Sequence, residues 1–262
     1  MNLCLDLKLK KALFSVMFRY QILVEYDGTN FKGWQVQKKC KTVQGLIQKK
    51  ISMLLKEKII LLGSGRTDTG VHAIEQSAHF DCKNKIKEPY KFLKSINYFL
   101  NKEAVAILKI KKKNKRFHAR FSAKMRIYKY IIVNRISVPV LEKNRNWHII
   151  KELDIDMMKA GAKKLIGTMN FSTFRKKSCK AKSPIKTIKL IKIKSSKNKI
   201  EIDFRSQSFL QQQVRSMVGC LKYLGEKKWS LKKFENILRS KKRSLCAPPA
   251  PPQGLYLMRV IY

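Results

Sequence analysis

Residues 59–82 read IILLGSGRTDTGVHAIEQSAHFDC, and they are the most informative stretch of the sequence. The short apolar run Ile59–Leu62 is typical of a strand, and Ala78, Phe80 and Cys82 alternate with polar neighbours as in a second strand. Between the two runs, three glycines within eight residues let the backbone turn sharply and approach a ligand closely. The stretch therefore predicts two consecutive strands joined by a glycine-rich loop.

A predicted helix flanks this pair of strands on each side. Thr42 is an N-cap for the first helix, whose apolar stripe runs through residues 43–54. The second helix carries a similar stripe over residues 92–100. Alternating strands lie outside both helices, at residues 20–26 and 105–110. The order β-α-β-β-α-β predicts a split βαβ sandwich.

The second half of the chain repeats this order of elements. Strands are predicted at 127–133, 185–193, 200–204 and 255–261, and helices at 155–165, 210–224 and 231–238. The predicted fold class is therefore α+β, with two ferredoxin-like or RRM-like βαββαβ units whose antiparallel sheets join side by side and whose helices cover one face. We expect a disordered leader at 1–17, an N-terminal domain at 18–113 and a C-terminal domain at 114–262.

The charge balance points to a polyanionic partner. The 262 residues include 59 Lys and Arg against 17 Asp and Glu, for a net charge of +42. Release of counterions from nucleic acid is then a direct source of affinity. An open antiparallel sheet face flanked by basic loops also suits RNA. A Lys- and Ile-rich composition can equally arise from an A+T-rich genome, and the two explanations are compatible.

Several classes of protein and site are excluded by the sequence. The six cysteines are scattered, with no C-x-x-C pair and no His/Cys pair at ligand spacing, which indicates reduced cytosolic thiols rather than a disulfide framework or a zinc site. No apolar run reaches the length of a transmembrane helix, and no cleavage site follows the short apolar stretch near the start of the chain. The glycine-rich loop lacks the Lys-Ser/Thr ending of a P-loop.

The glycine-rich loop carries the strongest functional signal. On its own, G-R-T-D is most often a tight turn in which the aspartate caps its own backbone. The full string 63–73, GSGRTDTGVHA, closely resembles the catalytic motif of the TruA family of tRNA pseudouridine synthases, usually GRTD-A-GVHA. Thr69 replaces the usual Ala, a small-for-small change. The resemblance implies that Asp68 is the catalytic aspartate and that Arg66 helps hold the target nucleotide out of its stem.

The resemblance extends over nearly the whole chain from residue 19. Tyr128 matches the active-site tyrosine of the family, and Arg215 matches the basic partner of the aspartate. Ile127, Lys182 and Lys186 depart from the family pattern, where arginines are frequent. The matching segments are 26–35, 42–45, 117–123, 128–130, 171–175, 213–219, 247–249 and 254–257.

The resemblance also implies the substrate, the assembly and further RNA contacts. The expected targets are uridines 38, 39 and 40 in the anticodon arm of tRNA, the expected location is the cytoplasm, and the expected assembly is a homodimer. The isomerisation is redox-neutral and releases nothing, so no metal or cofactor is expected. Further RNA contacts are expected at Lys32, His72, Arg120, Arg126 and Arg175.

Other interpretations stay open on the residues alone. By spacing, Arg215 fits a solvated helix position, and Tyr128 fits a packed position in a strand. A non-catalytic basic RNA-binding protein with an RRM-like sheet would use the same charge and the same sheet face. A basic ribosomal or DNA-associated structural protein is a third hypothesis. A binder has no need of a carboxylate in its glycine-rich loop, because Asp68 there repels phosphate.

Overall fold

The computed structural model describes residues 17–262, so the predicted leader falls outside the described residues except for Met17. In this range the chain forms ten strands and five α-helices. The strands are β1 (Phe18–Tyr26), β2 (Leu62–Gly63), β3 (His72–Cys82), β4 (Val105–Lys113), β5 (Met125–Asn134), β6 (Trp147–Ile149), β7 (Gly167–Asn170), β8 (Ile185–Ser196), β9 (Lys199–Ser206) and β10 (Leu255–Ile261). The helices are α1 (Val43–Leu55), α2 (Pro89–Leu100), α3 (Ile155–Lys163), α4 (Gln213–Gly225) and α5 (Leu231–Ser240).

All ten strands belong to one mostly antiparallel sheet, which confirms the predicted α+β class. Its order is β4-β1-β3-β10-β5-β9-β8-β7, with β2 on β3 and β6 on β5. Each half contributes the same arrangement, β4-β1-β3 in the first and β10-β5-β9 in the second. The halves join where β10 pairs in parallel with the start of β3, placing Tyr256 opposite His72 and Leu257 opposite Ala73.

The periodicity that predicted the first unit also builds its core. In β1 the alternate residues from Tyr20 to Tyr26 are buried. Helix α1 begins where predicted, because the Thr42 side chain accepts a hydrogen bond from the amide of Gly45. It buries Val43, Ile47 and Ile51 against the sheet side of the molecule. The buried apolar residues of both halves form one contiguous core.

The structure corrects several predicted boundaries. Strand β3 begins at His72 rather than near Ala78, because its first residues pair with β10. Residues 76–80 are all buried, so the alternation that marks a half-exposed strand is absent there. The strand predicted at 59–62 is paired only at Leu62–Gly63. Helix α4 begins at Gln213 rather than 210, and the short strands β6 and β7 were not predicted.

Two further observations concern membranes and metals. Over residues 17–262, every helix is too short or too polar to cross a lipid bilayer. In the same range, no three His, Cys, Asp or Glu side chains lie together as a metal-binding group.

His79 makes the stability of the fold depend on pH. It is buried on β3, and its Nδ1 accepts the amide hydrogen of Ala119 at 3.1 Å. Burial, with the nearby charges of Arg19 and His118, lowers the pKa of His79 from 6.5 to about 4. Between these two values the unfolded chain binds a proton that the folded chain does not, so stability falls as the pH falls. We expect a loss of up to about 3 kcal/mol between pH 6.5 and 4.

Denaturant unfolding at pH 7 and at pH 4.5 measures this loss. His79→Asn keeps an acceptor near the amide of Ala119 but cannot titrate in this range, so its stability should change less between the two pH values. Equal pH dependence in the wild type and in His79→Asn would contradict the assignment.

Candidate active site

The loop between β2 and β3 ends where β3 begins to pair with β10, the place at which the two halves meet. It packs on the loop that follows β1. The Thr67 carbonyl accepts the amide hydrogen of Trp34 at 3.2 Å, and the Thr67 hydroxyl lies 2.8 Å from that of Tyr26. Gly33 has φ +84°, and a Cβ there would lie 2.7 Å from the Thr67 carbonyl oxygen. A residue with a side chain at position 33 would therefore push Thr67 away, and with it Asp68, which follows Thr67 in the chain.

The start of the loop is fixed by side chains that approach from within the sheet. The Ser64 hydroxyl donates to Gln76 Oε1 at 2.7 Å, and Gln76 Nε2 donates to the Gly65 carbonyl at 3.1 Å. Arg126, on β5, donates to the Ser64 carbonyl at 2.6 Å. Because Gln76 and Arg126 are buried, this end of the loop is held by groups shielded from water.

The structure brings Asp68 and Arg215 into contact. Nη1 of Arg215, in the first turn of α4, lies 3.0 Å from Oδ2 of Asp68. The side chains are 12% and 24% exposed for Arg215 and Asp68, so the pair is partly shielded. Arg215 is itself held, since its Nε donates to the Ala250 carbonyl at 2.7 Å and its carbonyl accepts the Ala250 amide at 2.9 Å. The Ala250 carbonyl therefore helps to aim the guanidinium at the carboxylate.

Tyr128 completes the centre of the site. It lies on β5 and is 8% exposed, and its ring meets that of Phe209 edge-on at 5.3 Å. Burial raises the pKa of Tyr128 to about 12, with Arg126 opposing the shift and Asp68 adding to it. The phenol therefore stays protonated at neutral pH and can donate a hydrogen bond beside the carboxylate.

The other predicted contacts fall into two groups. Arg66, Lys32 and Arg120 are exposed, and Arg66 Nε donates to Gln35 Oε1 at 3.1 Å on the rim of the loop. These three side chains are open to a ligand.

His72, Arg126 and Arg175 point into the protein instead. His72 is buried: its Nδ1 accepts the Gly28 amide at 3.0 Å, and its Nε2 lies 3.1 Å from the Asn144 carbonyl. Arg126 is buried and also donates to the carbonyls of Arg120 and Gln207. Arg175 donates to two backbone carbonyls, those of Cys179 and Ala181.

Three groups that support the site residues were not predicted from the sequence. They are the Ala250 carbonyl that orients Arg215, the Gln76 side chain that holds the loop, and the Phe209 ring against Tyr128. The Ala247-Pro248-Pro249 motif marked the neighbourhood of Ala250, but a backbone carbonyl leaves no mark of its own in the sequence. Gln76 and Phe209 had no motif to distinguish them from core residues.

The arrangement combines a carboxylate, a phenol and two guanidinium groups, those of Arg215 and Arg66. The Arg215 guanidinium pairs with the partly shielded Asp68 carboxylate, and the protonated phenol of Tyr128 lies close enough for the charge of that carboxylate to raise its pKa. An exposed arginine, Arg66, stands two residues away on the rim. Such a site can offer acid, nucleophilic or electrostatic chemistry without a cofactor.

Comparison with known proteins shows which family the chain is similar to. The family model described as tRNA pseudouridine synthase matches residues 22–122 and 162–262. The tRNA pseudouridine synthase A of Pelagibacter ubique is 67% identical over 246 residues, covering 94% of this chain and 100% of that protein. The proteins of the same name from Parvibaculum lavamentivorans and Sinorhizobium medicae are 41% and 42% identical, each over 94% of this chain and 100% of the relative. Since both halves match, and complete relatives align with the chain at this identity, it belongs to the tRNA pseudouridine synthase family.

Proposed function

We propose that this enzyme converts uridine to pseudouridine in the anticodon arm of tRNA, at positions 38, 39 and 40, with Asp68 as the catalytic carboxylate. The observation that carries the assignment of the site is the contact between Asp68 and Arg215, which lie 147 residues apart in the chain and meet at 3.0 Å. Such a contact between a loop of one half and a helix of the other needs the complete fold.

The reaction sets the requirements for these groups. The N1–C1′ bond breaks, the uracil turns over while it is held, C5 bonds to C1′, and the C5 proton is lost while N1 gains one. Asp68 can attack C1′, add to C6 of the ring, or stabilise a cationic sugar. All three routes use an ionised carboxylate, and Arg215 donates a charge-assisted hydrogen bond to the Asp68 carboxylate.

Tyr128 and Arg66 have distinct parts in this proposal. The Tyr128 ring offers a flat face to the everted uracil, and its hydroxyl lies near C5 when the proton leaves. Eversion from a stem costs a few kcal/mol in lost pairing and stacking. Arg66, exposed beside Asp68, fills the vacated space or grips the displaced phosphate.

The remaining basic residues divide by their surroundings. Lys32 and Arg120 are exposed and serve as further contacts to the RNA backbone. His72, Arg126 and Arg175 hold the loops around the site, because backbone groups already occupy their polar atoms. The large positive charge of the chain supplies the general attraction to tRNA.

The assembly proposed is a homodimer in the cytoplasm, in which one subunit holds the body of the tRNA and the other receives the stem. The family resemblance of the motifs supports it. Sedimentation of the free protein and of its tRNA complex tests the stoichiometry.

Mapping of pseudouridine tests the activity and its location together. Unmodified tRNA transcripts with uridine at 38, 39 or 40 are incubated with the wild-type protein and then mapped at single-nucleotide resolution. We expect product at these positions, and none in matched transcripts that carry cytidine there. Binding of these transcripts without any product would favour a non-catalytic RNA-binding protein instead.

A further inference from the structure

Phe121 exposes most of its ring to water. Its side chain lies in the turn before β5 and is 75% exposed. Leaving an aromatic ring in water forfeits the stabilisation that its burial would give, and aromatic rings are a common surface for stacking RNA bases. Burial in the core of this chain does not account for the position of the ring.

The turn that carries Phe121 is rigidly built. The His118 amide donates to the Ser122 hydroxyl at 3.0 Å, and the Ser122 amide donates to the His118 carbonyl at 2.9 Å. The Ala119 carbonyl accepts from the Tyr262 hydroxyl at 2.8 Å, while its amide is held by His79. The backbone that carries the ring is therefore held in place, so the binding of a ligand has little of this backbone left to order.

The ring has cationic and aromatic neighbours. The His118 ring lies 4.4 Å from that of Phe121 between centroids, and the Arg120 guanidinium carbon lies 5.5 Å from its centroid. The segment 111–124 holds seven Lys and Arg residues and no acidic residue. An aromatic ring set among cations matches the surface that binds unpaired nucleotides.

Phe121 and its neighbours also lie next to the glycine-rich loop that carries Asp68. One guanidinium nitrogen of Arg126 donates both to the Arg120 carbonyl, at 3.0 Å, and to the Ser64 carbonyl, at 2.6 Å. The backbone beside Phe121 is therefore tied directly to the loop that carries Arg66, two residues beyond Ser64.

We propose that Phe121, with His118 and Arg120, forms a stacking platform for an unpaired nucleobase of the tRNA substrate beside the everted uridine. The inference rests on the proposed function. Eversion leaves the former partner of the uridine unpaired and partly unstacked. Every base has a π-face, so a platform of this kind accepts it whatever its identity.

Substitution of Phe121 tests the platform. We compare Phe121→Ala, Phe121→Trp and Tyr98→Ala, since Tyr98 is 74% exposed on α2 and serves as a matched control. The readouts are kcat/KM for pseudouridine formation and the salt dependence of tRNA affinity, measured by titration with the same transcript. Phe121→Ala should lose about tenfold in kcat/KM. Phe121→Trp should stay close to wild type, and so should Tyr98→Ala.

The salt dependence separates stacking from charge. Phe121→Ala should weaken binding without changing the slope of log K against log salt, whereas Arg120→Ala should reduce that slope by about one. Melting temperatures confirm that each variant is folded. If the wild type is active and Phe121→Ala matches Tyr98→Ala, or if Phe121→Trp is as impaired as Phe121→Ala, the platform is refuted and the proposed function stands. An inactive wild type refutes the proposed function itself.

Discussion

Asp68→Asn should abolish pseudouridine formation, with a loss on the order of 10⁴-fold or more, and leave tRNA affinity within about twofold of the wild type. Asparagine has nearly the same shape and keeps an oxygen that can accept from Arg215, so the geometry survives. It carries no charge, so it can neither attack C1′ or C6 nor stabilise a cationic sugar. Removal of a carboxylate also lowers its repulsion of phosphate, so binding should not weaken.

Single-turnover assays and a tRNA-binding titration measure the two effects separately. Asp154→Asn is the matched control, because Asp154 caps α3 by accepting the Met157 amide at 2.9 Å and asparagine is an equally good cap. Measurable turnover by Asp68→Asn at near wild-type rate would remove Asp68 from the chemistry.

Arg215→Met should lower kcat/KM by roughly 10²- to 10³-fold, because it leaves a partly buried carboxylate without its ion-pair partner. The Ala250 carbonyl also loses its donor, which should cost about 1–2 kcal/mol of stability. Arg215→Lys restores the positive charge, but a lysine can replace only one of the two hydrogen bonds that Arg215 donates, to Asp68 and to the Ala250 carbonyl. It should therefore recover part of the activity.

The same single-turnover assay, together with thermal unfolding, checks this prediction. Arg239→Met is the control, since the Arg239 side chain is 79% exposed on α5 and its ion pair with Glu235 spans 3.7 Å. If Arg215→Met kept the wild-type rate, the pair with Asp68 would have no catalytic role, however short the contact.

The sequence was most informative where one face of an element is buried and the other is exposed. The alternation from Tyr20 to Tyr26 predicted β1, and Thr42 predicted the start of α1 through the hydrogen bond that its side chain accepts. The start of β3 could not be predicted in this way. His72 is buried because β10 arrives beside it from the far end of the chain, and no local pattern records such a contact.

The site shows the same division. Asp68, Tyr128 and Arg215 were predicted from motifs, and the structure places Arg215 in contact with Asp68, and Tyr128 close enough for the charge of Asp68 to raise the pKa of the tyrosine. The sequence could not predict that Arg126 points into the protein, because it does not distinguish an arginine that binds backbone carbonyls from one that binds phosphate. The structure distinguishes the two roles, because it places Arg126 between the Ser64 carbonyl and the Arg120 carbonyl.

The pairing of β10 with both β3 and β5 has a consequence for synthesis of the protein. Strand β10 is made after every other strand of residues 17–262 and lies at the centre of the sheet, and the segment just before it supplies the carbonyl that orients Arg215. A ribosome-bound chain that has not yet emerged to this point can pair β1, β3 and β4, but it cannot seat the guanidinium against the carboxylate. The two halves can therefore join, and Arg215 can meet Asp68, only after β10 has emerged from the ribosome.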